Sequence, residues 1–302
     1  MASVVRCCRR GRLPRTLALT LPQRPRSMST SSPNWSVDEA EVSKFGQMAE
    51  RWWDPDGPQA QLHLLNPVRI AYIRHRLGLQ FGMVAAADNT PTPLQGLKIL
   101  DIGCGGGFAS EPLAQLGGEV LGVDAAEESI GVAIRHAEAN GLIGKDSQYK
   151  LSYECATAEM LADRKETFDV VTALDIIEHV NDQTHFLCTC LSMVKPGGAM
   201  FVSTLNRTPL SYALAVVSAE YILGMVPQGT HDWNKFVTPD ELRSMVNHYE
   251  DYEVLNNVGP MEDEAAMVVE DFAGIKYNPF KMRWGLDPND IQMNYIAHVS
   301  KN

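Results

Sequence analysis

From Lys98 onward, short apolar runs alternate with longer stretches whose apolar positions recur at intervals of three and four. Ile99 to Ile102, Glu119 to Val123, Tyr149 to Cys155, Phe168 to Leu174 and Ala199 to Ser203 read as strands. Phe108 with Leu113 and Leu116, Ala126 to Asn140, and Asp182 to Met193 read as helices, the last closed by a Lys195-Pro-Gly-Gly198 turn. Strands and helices alternating at this spacing predict a doubly wound, mostly parallel α/β sheet. A final pair, Tyr252 to Asn256 and Gln292 to Val299, makes it a seven-stranded Rossmann-like sheet. Upstream, Val37 to Arg51 is an amphipathic helix with Val42, Phe45, Met48 and Ala49 on one side. Trp52-Trp53-Asp54-Pro55 ends it, and the two tryptophans suit a lid over the core. A second helix is expected from Asn66, as cap, and Pro67, at the first position, to Leu79. Residues 37–95 are thus a helical lid and linker, and residues 96–302 the main domain.

Composition is ordinary for a globular protein, 45% hydrophobic and 21% charged, and the formal net charge of -11 disfavours a nucleic-acid partner. That balance hides an asymmetry. Residues 1–36 hold seven arginines and no acid, with serine and threonine crowding Ser27 to Ser32. This is the composition of a mitochondrial transit peptide; a basic nucleic-acid arm is the alternative. Two of the six cysteines, Cys7 and Cys8, fall in this leader; the other four show no paired metal spacing and read as buried free thiols of a reducing compartment. No apolar run is long enough to span a bilayer.

Leu100-Asp-Ile-Gly-Cys-Gly-Gly-Gly107 is a strand followed by a glycine turn and a helix. Such a turn lets backbone N–H groups approach a ligand at the carboxyl end of the first strand. Phe108 stands where a dinucleotide fingerprint needs its third glycine, so a dehydrogenase is disfavoured. Asp124 ends the second strand, at the distance from the loop where an acid accepts ribose hydroxyls; capping the next helix is its plainer role. Asp101 ends the first strand and suits a cationic amino group or a turn cap. Acids without a phosphate cradle fit an adenosyl group with a positive amino-acid tail.

Asp175, Glu178 and His179 follow the fourth strand at i, i+3 and i+4. On a helical turn, two carboxylates and an imidazole share one face, a donor set for Mg²⁺ or Zn²⁺. The alternative is a solvated helix start. Thr208 to Gly224 is apolar on nearly every side, with Glu220 its only charge. It reads as a buried core helix or as a helix laid in a membrane interface. Thr238-Pro-Asp-Glu241 is a capping box. His231 is a loop histidine, an acid or base or an ordinary surface residue.

The glycine loop resembles the cofactor loop of class I S-adenosylmethionine-dependent methyltransferases. With Arg51-Trp-Trp-Asp54, Leu65-Asn-Pro-Val-Arg69, Val194-Lys-Pro-Gly-Gly198, Ser203-Thr-Leu-Asn-Arg207, Ala219 to Pro227 and Gly229-Thr-His-Asp232, the chain resembles the O-methyltransferases of ubiquinone biosynthesis from about Val37 to its end. The resemblance implies an antiparallel strand at the sheet edge. It implies S-adenosylmethionine held by Arg69 (at the methionine carboxylate), Gly103, Asp124 and Leu174 (on the adenine side), and metal ligation by Asp175, Glu178 and His179. It further implies a membrane-associating insertion at about 208–231. The expected activity is methylation of catechol-type hydroxyls on polyprenylated ubiquinone precursors. The expected location is the matrix side of the mitochondrial inner membrane, in peripheral contact with lipid and within a multi-protein complex. A methyltransferase for another small phenol and a non-catalytic binding subunit of such a complex are the alternatives.

Overall fold

A computed structural model describes residues 36–82, 90–222, 229–249, 252, 266–278, 281 and 283–302. The expected transit peptide lies outside the described residues, as does much of the expected linker. One sheet is built from β1 (Lys98–Ile102), β2 (Glu119–Asp124), β3 (Lys150–Cys155), β4 (Phe168–Leu174), β5 (Val194–Leu205), β6 (Met267–Asn278), β7 (Arg283–Asp287) and β8 (Asn294–Lys301). Their order is β3-β2-β1-β4-β5-β8-β6-β7. The first five strands are parallel, while β8 runs antiparallel to β5 and β6, and β7 antiparallel to β6. β1 has β2 on one side and β4 on the other, so the winding direction changes there and a crevice opens above its carboxyl end.

The sheet has eight strands rather than the expected seven. Tyr252 is helical, and 253–256 lie outside the described residues. The strand pairing with β8 is β6, which the sequence pattern hides. β6 is only partly buried, and its register on β8 breaks between Val269 and Asp271, so its apolar positions lose a strict period of two. β5 also begins earlier than expected. Val194 already pairs with Phe168, and the Lys195-Pro-Gly-Gly198 stretch is an irregularity within the strand rather than a turn before it.

The helices are α1 (Glu39–Met48), α2 (Ala60–Gln80), α3 (Ser110–Gln115), α4 (Glu127–Ala139), α5 (Ala158–Asp163), α6 (Gln183–Ser192) and α7 (Pro239–Asn247). Asp38 caps α1, Asp182 caps α6, and Thr238 with Glu241 forms the capping box of α7. α2 departs from expectation. It starts at Ala60, so Pro67 lies inside it and Asn66 is no cap. Pro67 cannot donate within the helix, a loss that tertiary packing must offset. Asn66 instead donates Nδ2–H to the Phe108 carbonyl at 2.5 Å, tying α2 to the glycine loop.

β1 shows why its residues read as a continuous apolar run: both faces are covered. Ile99 joins Leu113, Val170, Phe201 and the α2 residues Ile73 and Leu77 on one face. Leu100 and Ile102 join Val171, Leu187 and Val202 on the other.

His298 on β8 lies against α2. Its Nε2 bonds Gln80 Oε1 at 2.8 Å, its Nδ1 accepts from Arg76 Nε at 3.3 Å, and its ring stacks on Phe201. Burial, aided by the Arg76 charge, lowers its pKa from 6.5 to about 4. Between those values the unfolded chain binds the extra proton and the folded chain does not. His298 therefore stabilises the fold above pH 6.5, and that contribution falls by about 3 kcal/mol as pH drops through the folded value. His298→Gln is expected to flatten the acid side of the stability curve, measured as urea midpoints at pH 7 and pH 4.5; an unchanged difference between the two would refute this account.

Candidate active site

The glycine turn is fixed first by the backbone. Gly103 and Cys104 N–H groups both donate to the Val123 carbonyl, at 2.8 and 3.0 Å. Gly103 has φ +69°, and a Cβ there would meet Ile176 at 2.8 Å. Gly105 has φ +53°, and a Cβ would run into the Trp52 ring. Glycine is therefore required here by backbone shape and by close packing at once. Trp52 and Trp53 pack on this turn: Trp52 packs on Phe108, Trp53 Nε1 donates to the Gly106 carbonyl at 2.9 Å, and the Trp53 ring stacks on His136 at 3.5 Å.

Two acids sit at the tips of β1 and β2. Asp124 accepts from Gly105 N (2.9 Å) and Ala126 N (2.8 Å), so it both shapes the loop and orients its carboxylate. Asp101 accepts from the Ser110 hydroxyl (2.6 Å) and the Thr172 hydroxyl (2.7 Å). Burial raises the pKa of both above the usual carboxylate range, against those donors. Gly103, Asp101, Asp124 and Leu174 line one cavity of about 710 Å³, together with Arg69, Asp175, Glu178, His179 and His231. The topology thus brings the candidate cofactor and metal residues, with Asp101 and His231, to one space.

It does not bring the expected metal ligands together as a chelating set. Asp175, at φ +55°, is held by two partners: Ser203 Oγ donates to Oδ1 at 2.6 Å and Arg69 Nη1 to Oδ2 at 2.5 Å. Glu178 accepts from the Thr204 hydroxyl at 2.9 Å. Burial, reinforced by Asp175 and opposed by His179, pushes Glu178 up to about 7. His179 Nδ1 bonds Glu41 on α1 at 2.8 Å, with its ring edge-on to Phe45. Against the cost of burial, His179 and Lys44 hold the Glu41 carboxyl below the usual range. Among the described residues, no three His, Cys, Asp or Glu side chains form a group that could hold a metal ion. The donor types suit a divalent cation; their arrangement does not. The turn after β4 is a short 3₁₀ segment, Ile177–His179, and Asp175 lies outside it at φ +55°, so the three residues do not sit on one helical turn and the helical spacing does not apply.

Arg69 is correspondingly not in a first turn but mid-helix, 3% exposed, with Nε lacking a hydrogen-bond partner among the described residues. Sequence reasoning missed Glu41, Ser203 and Thr204, the partners that set these three side chains. Ser203 and Thr204 close a strand whose end was visible, but nothing local says what their hydroxyls meet.

Of the two readings of 208–224, the buried core helix does not hold over the described residues. Thr208 and Ser211 form a capping box at a short α turn, Pro209–Ser211, which widens into π-type turns over Tyr212–Ile222. Only Ser211, Ala215 and Glu220 are buried there. Leu210, Tyr212, Leu214, Val217, Tyr221 and Ile222 are exposed, the last two by 60% and 71%. Residues 223–228 lie outside the described ones. No helix among the described residues is long and apolar enough to cross a membrane. The insertion borders the site, since Leu210, Leu214, Ala215 and Ala219 line the same cavity.

A family model described as a methyltransferase domain matches residues 100–202. The "Ubiquinone biosynthesis O-methyltransferase" of Dinoroseobacter shibae is 42% identical over 262 residues, covering 87% of this chain and 95% of that one. The protein of the same name from Caulobacter vibrioides is 42% identical over 275 residues, covering 91% and 98%. Among solved structures, the magnesium protoporphyrin IX methyltransferase of Synechocystis with bound SAH superposes with TM-score 0.56 at 17% identity, covering 88% of this chain and 100% of that one, and shares the fold. A sheet with its glycine turn and paired acids, and relatives matched along nearly their whole length, lead to one conclusion: the chain belongs to the ubiquinone biosynthesis O-methyltransferase family of S-adenosylmethionine-dependent methyltransferases.

Proposed function

We propose that this protein methylates catechol-type hydroxyls of polyprenylated ubiquinone precursors, 3,4-dihydroxy-5-polyprenylbenzoate and demethylubiquinol, from S-adenosylmethionine. The observation that carries the reading is continuity. One cavity runs from Asp124 and the glycine turn to side chains of the exposed apolar insertion. A donor bound at the strand tips and a greasy acceptor arriving across the insertion would meet inside it.

Within this reading, Asp124 accepts the ribose hydroxyls and Leu174 packs beside the adenine. Asp101 faces the cationic amino group. Arg69 offers its unpartnered Nε to the methionine carboxylate while Nη1 keeps Asp175. A ring oxygen attacks the sulfonium methyl in line, the new O–C bond forms as the C–S bond breaks, and the thioether leaves neutral. The walls contribute position and exclusion of water, which account for much of such a rate. Asp175, Glu178 and His179 are engaged by Ser203, Arg69, Thr204 and Glu41.

The insertion would rest in the lipid surface. The arginine-rich, acid-free residues 1–36 support delivery to the mitochondrial matrix, where the protein would sit peripherally on the inner membrane within a biosynthetic assembly. The test is methyl transfer from labelled S-adenosylmethionine to a prenylated catechol in liposomes, with the product identified by mass. Robust transfer to an unprenylated phenol, with none to the prenylated one, would overturn the substrate assignment. Added Mg²⁺ is a second arm. A rate that requires it means that Arg69 and Glu41 release their partners to a cation. A rate that ignores it means that the ion-paired arrangement is the working one.

A further inference from the structure

We propose that His231 is the general base of the reaction, accepting the phenolic proton at Nε2, and that Glu220 is the residue that positions it. This rests on the reading that a catechol is the methyl acceptor.

Glu220 is the only charged residue in an otherwise apolar insertion, yet its side chain is 1% exposed. A carboxylate there is costly unless its lone pairs are used. Three donors use them: Gly229 N at 2.7 Å on Oε2, and His231 N and His231 Nδ1, both at 2.9 Å, on Oε1. One carboxylate thus folds the loop after the insertion and grips the ring it carries. Lys44 on α1 clamps the same loop from the other side, donating to the Gly229 and Thr230 carbonyls at 2.9 and 3.2 Å.

The tautomer follows from the partner. A carboxylate only accepts, so Nδ1 carries the hydrogen and the lone pair of the neutral ring is at Nε2. His231 lines the cavity that also holds Gly103 and Asp124. Phe236 meets its ring edge-on at 6.0 Å. The geometry is that of a histidine base with a carboxylate behind it: one nitrogen is anchored by Glu220, on a ring that lines the substrate space, which leaves Nε2 to accept.

Electrostatics agree. Burial lowers the His231 pKa below 6.5, with His179 and Lys44 pushing the same way and Glu220 opposing them. Glu41 and Glu178 also line a smaller cavity that His231 borders. The ring is therefore neutral, and able to accept, at the pH of a mitochondrial matrix. As the O–C bond forms and the C–S bond breaks, the phenolic proton passes to Nε2. Glu220 stabilises the imidazolium, which then releases its proton to water.

His231→Ala is expected to lower kcat for a prenylated catechol about a hundredfold or more, the usual contribution of a positioned base. Binding of S-adenosylhomocysteine should be unchanged. The decisive comparison is a nitrocatechol, whose hydroxyl is already ionised near neutral pH. With that acceptor the defect should shrink to a fewfold, because no base is needed. Glu220→Gln should behave as a milder version, with the acid limb of the pH–rate profile displaced. A defect equal for both acceptors means a structural role and overturns the proposal, as does wild-type activity in His231→Ala. No transfer to any catechol by the wild-type protein instead overturns the substrate reading. If Glu220→Gln fails to fold, His231→Ala alone decides.

Discussion

Asp124→Ala is expected to weaken S-adenosylhomocysteine binding by about a hundredfold or more, since hydrogen bonds to a charged acceptor are worth roughly 1.5–3 kcal/mol each and a ribose offers two hydroxyls. The residue does two jobs. It accepts Gly105 N and Ala126 N, which shape the turn, and each carboxylate oxygen retains a further lone pair for a ligand. Alanine removes both functions; Asp124→Asn keeps the volume and one acceptor and should lose less. Calorimetric titration with S-adenosylhomocysteine checks both variants, with thermal melting to confirm that they fold. Unchanged affinity in folded Asp124→Ala would remove the ribose assignment. Lost affinity in alanine with full affinity in asparagine would place the effect in the loop backbone.

What could be read from the sequence divides along a physical line. β1, β2 and β4 are legible because both sheet faces are covered there, so each strand is a largely apolar run bounded by turn residues; β3, at the sheet edge, is mixed and mostly unburied. The Thr238–Glu241 capping box is legible because capping is local chemistry. Asp124 and the glycine turn are legible because strand, turn and helix are consecutive. The failures are all non-local. Pro67 signals a helix start, yet α2 runs through it, held by packing on the sheet and by Asn66 on the Phe108 carbonyl. β6 loses its period at the break after Val269. Asp175, Glu178 and His179 have helical spacing, but Asp175 turns at φ +55° outside the short 3₁₀ segment and each side chain meets a partner more than twenty residues away. Chemical type was legible at these positions; direction was not, because it is set by Arg69, Glu41 and Thr204.

Replacing Val217 and Ile222 together with lysine is expected to reduce partitioning onto liposomes by about tenfold to a hundredfold, since burying an aliphatic side chain contributes roughly 1.5–3 kcal/mol and both are only partly covered to begin with. Tyr212, Leu214, Tyr221 and Ile222 are each exposed, and clustered exposed apolar side chains mark membrane or partner contacts. The substitutions leave the anchor intact. Ser211, Ala215 and Glu220 face inward, and Glu220 still holds Gly229 and His231. Melting temperature should therefore hold while flotation with vesicles falls. Turnover of a prenylated acceptor in liposomes should drop with it, and turnover of a short-chain catechol in solution should not. A variant that unfolds would mean that these side chains support the core. A folded variant that still floats with vesicles would mean that the lipid contact lies elsewhere, and that a greasy acceptor enters the 710 Å³ cavity by another mouth.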